Sequence, residues 1–107
     1  MVTFWCACKV DPTGLLLQKD RVVSVKRLSQ GVYEAFMENA LGDMEGNPVA
    51  VPWYVENATP AQALPLMRFL VATDALDSTR LVVRGFNATL TPTDGPFSLL
   101  VWRFGAS

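Results

Sequence analysis

The sequence predicts an all-β fold, an antiparallel β-sandwich of jelly-roll type with seven or eight short strands. Three observations carry that expectation. Val22 to Phe36, VVSVKRLSQGVYEAF, places two β-favouring runs on either side of a Ser29-Gln30-Gly31 turn. The rest of the chain repeats this style, with short apolar runs separated by Pro, Gly, Asn and Asp clusters. Strands never alternate with long helical patterns, which disfavours an α/β fold, and no period of the length found in solenoids is visible.

Thr3 to Val10 is the first expected strand. Asp11-Pro12-Thr13-Gly14 ends it as a type I or II turn, with Pro12 presetting φ and Gly14 relieving the exit. Leu15 to Gln18 follows as a short apolar strand or edge, and Lys19-Asp20 turns the chain into the central hairpin. There Val22, Val23 and Val25 lead in, while Val32, Tyr33 and Phe36 lead out. Gly31 supplies the positive φ that a short hairpin loop requires.

Glu38 to Pro48 is expected as the longest polar loop. Val49 to Glu56 is strand-like, but Pro52 cannot donate to a ladder, so this strand belongs at an edge or carries a bulge. At Thr59-Pro60 the spacing to Gln62 suits a capping box, although Pro65 limits any helix to about one turn. Leu66 to Ala72 is a buried strand by length and apolar continuity. Asp74 to Ser78 turns the chain into Thr79 to Phe86, and Thr91 to Pro96 forms a firm loop before the closing strand Phe97 to Phe104.

With 107 residues the chain is expected to form a single domain, residues 1–107, large enough to fold without a metal or a disulfide framework. Counted with Gly in and Tyr out, roughly 55% of residues are apolar against a usual ~45–50%. Such a surplus exceeds what a monomer of this size readily covers, so an oligomer interface is its natural destination. Net charge is −1 and the pI is about 5.2, which leaves no basic field for nucleic acid. No apolar run reaches the length of a membrane span, and the first residues lack the features of a secretory signal, so neither membrane nor export is expected.

Cys6 and Cys8, two apart on one strand, point to one face. Their nearly parallel side chains oppose a strain-free disulfide, and zinc would need further ligands that a chain with 2 Cys and 0 His does not offer. Both are expected as buried thiols behaving as small hydrophobes.

Catalytic chemistry has little to draw on. His is absent, no Ser has a base in recognisable order, and no glycine cluster opens a helix. Asp43 with Glu45, and Asp74 with Asp77, could hold Ca²⁺ through oxygen ligands, but they read better as solvated turn residues. The chain is therefore expected to be no enzyme, with no catalytic residues, no cofactor and no metal. The Asn-Ala-Thr strings at Asn57 and Asn87 match the glycosylation acceptor and are expected to be chance matches.

Among the aromatics, Trp5 and Trp102 are expected in the core. Trp53 and Tyr54 are strand neighbours, so one of them must face away from the core, toward another subunit or solvent. Trp53 and Tyr54, with Met67 and Phe69 on the following strand, are the candidate interface residues. Flat rings also stack on sugars, so a carbohydrate-binding surface lined by Trp5, Trp53, Tyr54 and Trp102 is the alternative.

Two stretches carry a family resemblance. Val22 to Phe36, VVSVKRLSQGVYEAF, is similar to an RLSxGxYxVxF-like pattern of small β domains in phage tail-fibre and related virion proteins. Val83 to Phe86 and Thr91 to Trp102 resemble the last hairpin of such domains, with a proline-bearing loop before a Phe-led strand. With the Asp11–Gly14 turn, the likeness covers about half of the chain. It implies a jelly-roll or C1q-like domain assembling as a homotrimer on a virion put together in the host cytoplasm. Its partners would be other copies of itself and the major capsid protein or another virion protein. Because the chain has no long shaft sequence, a capsid decoration or cement protein fits better than a fibre tip. A receptor-recognition module of a tail fibre, binding carbohydrate, is the alternative.

Overall fold

A computed structural model describes residues 2–40, 45–52, 68–74 and 76–104. Among these residues eight strands run in order: β1 (Val2–Val10), β2 (Leu16–Asp20), β3 (Val22–Ser29), β4 (Val32–Met37), β5 (Glu45–Pro52), β6 (Arg68–Thr73), β7 (Arg80–Phe86) and β8 (Phe97–Phe104). They form two antiparallel sheets, ordered β2-β1-β8-β5 and β3-β4-β7-β6. We call these sheet A and sheet B. The first and last strands pair along their whole length at the centre of sheet A, from Val2↔Phe104 to Val10↔Phe97. Three hairpins, β1β2, β3β4 and β6β7, stay within one sheet and give the sandwich a strand order of its own.

Alternation along each central strand selects the core. Tyr33, Ala35 and Met37 of β4, Leu81 and Val83 of β7, and Phe97, Leu99 and Val101 of β8 all turn inward. They meet Cys6, Cys8 and Val10 of β1 between the sheets. The Tyr33 and Phe97 rings pack edge to face at 5.0 Å. At about 25 cal/mol per Å² of apolar surface removed from water, this layer is the main source of stability.

The expected hairpin is present, with Gly31 at φ +72°. Pro52 ends an edge strand, as its missing donor requires. Other boundaries moved. The polar loop is shorter than expected, because Glu45 to Pro48 already pair with Phe104 to Val101 as the first half of β5. Those residues are polar or proline, yet they lie alongside an apolar central strand that supplies the pairing partner. Lys19 and Asp20 are not a turn but the end of β2; Arg21 alone makes the bend, at φ +60°. In this way the edge of sheet A passes into the edge of sheet B across one residue. The expected turn at Thr59–Pro60 lies outside the described residues.

Trp102 corrects an expectation. It is not in the core: Phe97, Leu99 and Val101 take the inner face, so Trp102 shares the outer face with Ser98 and Leu100. Trp5 is half-buried against the core because β1 shifts register between Phe4 and Cys6, which leaves Trp5 out of the alternation. Its Nε1–H donates to the Asn39 carbonyl at 3.1 Å.

Candidate functional site

Two polar clusters are built on arginine–carboxylate pairs. The first gathers around Asp94, in the loop before β8. Its carboxylate accepts from Arg27 Nε at 3.0 Å and from the Gly31 backbone N–H at 2.7 Å. The buried Tyr33 hydroxyl donates to the Pro12 carbonyl at 2.8 Å and accepts from the Gly95 N–H at 3.3 Å. Three loops are thereby tied together at one end of the sandwich. The Arg27 hydrogen bond is the main reason the Asp94 carboxyl sits below its ordinary range, whereas burial pushes Tyr33 up to about 12. Every strong acceptor here is used by the fold, so the cluster is a clamp.

The second cluster joins Arg80 to Glu34 at 2.7 Å and to Asp74 at 3.2 Å. Asp77, one of the acids weighed for Ca²⁺, instead accepts from the N–H and hydroxyl of Thr79 at 3.0 and 2.6 Å. Asp11 and Asn87 do the same for Thr13 and Thr89, so three turns share an Asx-x-Thr arrangement. Asp43 lies outside the described residues. Among the described residues no group of acids and sulfurs is arranged to hold a metal ion.

Cys6 and Cys8 are buried free thiols. Burial pushes them up to about 11 and about 12. At neutral pH neither supplies a thiolate nucleophile.

What remains is the outer face of sheet A. Cross-strand register sets Phe4 beside Trp102, Ala7 beside Leu100, and Leu100 beside Val49. Val51 lies opposite Ser98. The Phe4 and Trp102 rings meet edge to face at 5.9 Å, and Trp102 is still 39% exposed, with Val49 and Val51 similarly open. The Arg21 guanidinium lies 4.9 Å above the Phe4 ring, so a cation borders this apolar area at one end, while Arg103 lies 4.5 Å above the half-buried Trp5 ring, outside it. Toward β2 the face becomes polar. An open groove of about 320 Å³ there is lined by Ala7, Lys9, Gln18, Asp20, Ser98 and Leu100, among others.

Of the candidate interface residues, Trp53, Tyr54 and Met67 lie outside the described residues. Phe69 is half-buried, its ring tilted against Phe97 at 5.3 Å, on the inner side of β6. Of the outer-face residues, Trp102 was expected in the core, and Phe4, Leu100, Val49 and Val51 were not singled out from the sequence. A signal for them exists: Ser98 is polar and shares parity with Leu100 and Trp102, which marks their face as the outer one.

Comparison with protein-family models, with curated proteins and with solved structures finds no match.

Proposed function

We propose that this chain is a non-enzymatic virion structural protein that assembles as a homotrimer and decorates or cements a capsid, or forms part of a fibre. The outer face of sheet A carries this reading. Phe4, Leu100, Trp102, Val49 and Val51 form a continuous apolar surface on a rigid sheet, and half-exposed Trp is a strong contributor to protein contacts. Such a face is favourable to cover with its own kind, since burial against uncharged apolar groups strands no polar atom. Three copies turned inward around a three-fold axis cover it on every subunit at once. The virion setting is supported by the hairpin resemblance alone, and the partners it suggests are the major capsid protein or another virion protein.

Light scattering after size exclusion tests the reading. The native chain is expected at trimer mass, and Trp102→Ser is expected to fall toward monomer with its strand content unchanged. A Trp102→Ser protein of native mass would remove sheet A from the interface.

A second reading has its own observation. Trp102 stands exposed on the same face as a groove lined with Gln18, Asp20 and Ser98, a pairing of flat ring and hydrogen-bonding groups that suits sugar recognition. On that reading a glycan array shows saturable binding that Trp102→Ser abolishes, whereas the assembly reading expects none.

A further inference from the structure

The loop before β8 contains the one Asp-Gly pair of the chain, Asp94-Gly95, and the sequence has no Asn-Gly pair. That dipeptide carries its own chemistry. Gly has no side chain to hinder its nitrogen, so the Gly95 amide nitrogen reaches the Asp94 Cγ wherever the loop is free to turn. A bond forms between that nitrogen and Cγ as the C–OH bond of the neutral carboxyl breaks. The hydroxyl leaves with the amide proton as water, and a succinimide ring remains. Solvent water then opens the ring at either carbonyl. Cleavage of the nitrogen–Cγ bond restores aspartate, whereas cleavage between the Gly95 nitrogen and the Asp94 main-chain carbonyl carbon leaves isoaspartate, with the chain routed through Cβ and Cγ. One water departs and one enters, and nothing is oxidised or reduced.

The fold holds both reacting groups apart. Asp94 Oδ1 accepts from the Gly31 N–H at 2.7 Å, and Oδ2 accepts from Arg27 Nε at 3.0 Å with Arg27 Nη2 at 2.9 Å. The Arg27 hydrogen bond keeps the carboxyl anionic at neutral pH, and an anion has no hydroxyl to release. Gly95 is buried, and its N–H donates to the Tyr33 hydroxyl at 3.3 Å, which is itself fixed on the Pro12 carbonyl at 2.8 Å. The flanking chain is anchored as well: the Thr93 N–H donates to the Gly85 carbonyl at 3.0 Å, and the fully buried Phe97 opens β8. Bringing Cγ onto the Gly95 nitrogen therefore requires the Arg27, Gly31 and Tyr33 contacts to break.

We propose that Asp94-Gly95 is an isoaspartate-forming site that the Arg27, Gly31 and Tyr33 contacts keep closed, so that conversion proceeds only through local opening of the loop from Thr91 to Pro96. Conversion also prevents reclosure. Isoaspartate adds a backbone carbon between residues 94 and 95 and offers the main-chain carboxylate in place of the side-chain one. The bonds to Arg27 and Gly31 then no longer form together with the bond from Gly95 to Tyr33, and the end of the sandwich that this clamp ties is released. None of this depends on association through sheet A.

Ageing the full chain at neutral pH, below its unfolding midpoint, tests the proposal, with a synthetic peptide of Leu90 to Ser98 as the unrestrained reference. Digestion with an Asp-specific protease, which does not cut at isoaspartate, followed by mass spectrometry, reads the converted fraction. Conversion is expected to be about tenfold or more slower in the native chain than in the peptide, the factor imposed by an opening cost of ~1.4 kcal/mol. Arg27→Gln and Tyr33→Phe are each expected to move the rate severalfold toward that of the peptide with strand content unchanged. Arg27 is exposed, so its variant probes the clamp without disturbing the core. Leu99→Ala, which lowers overall stability without touching the clamp, is expected to keep the native rate. Native conversion as fast as that of the peptide, or an Arg27→Gln chain no faster than the native one, would overturn the proposal. Equal acceleration by Leu99→Ala would overturn it too, since conversion would then follow global unfolding.

Discussion

At the scale of single residues, Asp94 joins segments distant in sequence: Arg27 at the end of β3, Gly31 in the hairpin turn, and Tyr33 beneath them. Replacing it by Ala strands the Gly31 N–H and loosens the closing loop, at an expected cost of about 1–3 kcal/mol in denaturant unfolding. Because its folded carboxyl titrates below the ordinary 3.8, the stability it contributes is present above that value and is lost as pH falls through the folded one. The native protein should therefore lose more stability in acid than Asp94→Ala does. Gly31 is constrained from two sides: its φ is +72°, and an added Cβ would approach the Thr93 nitrogen to 2.7 Å. Gly31→Ala is expected to destabilise by roughly 1–3 kcal/mol, read as a lowered unfolding midpoint. At the alkaline end, Cys6, Cys8 and Tyr33 all have folded values above their unfolded ones of 9.0, 9.0 and 10.0. Their neutral forms favour the fold below those unfolded values, and that contribution is lost as pH rises toward the folded values of about 11 to 12. Replacing both cysteines by Ala or Val should flatten stability against pH above pH 9.0 and leave the acid limb unchanged.

At the scale of elements, β8 shows how neighbouring apolar residues divide their roles. Leu99 is fully buried, while Leu100 beside it lies on the outer face. Leu99→Ala is expected to cost about 2–5 kcal/mol, with Leu100→Ala costing much less in a monomeric reference state. Equal losses would contradict the assignment of faces. The strand count, the central hairpin, the Asp11–Gly14 turn and the edge position of β5 were legible because Gly, Pro and β-branched residues act locally. Trp102 was misplaced because residue type was weighed above parity, although Ser98 shares its face. The start of β5 was hidden because Glu45, Gly46, Asn47 and Pro48 have no strand preference, and their pairing is imposed by β8. The bulges at Trp5, Leu17, Val23 and Leu28 leave no mark in composition at all. They are seen only in the pairing register, where each is skipped between two paired neighbours.

At the scale of the whole molecule, two layers share one core, and the apolar surplus that the core does not absorb is displayed outside it. Part lies on the outer face of sheet A and part on Leu15, Leu17, Val23 and Leu28 along β2, β3 and the turn before β2. The apolar face of sheet A is the premise on which the proposed assembly stands. Light scattering on the native chain across a dilution series measures it most directly. A mass near three times 11.8 kDa that persists on dilution, and that Trp102→Ser lowers, is the predicted result. A single 11.8 kDa species at every concentration, identical for the native and substituted chains, would contradict it.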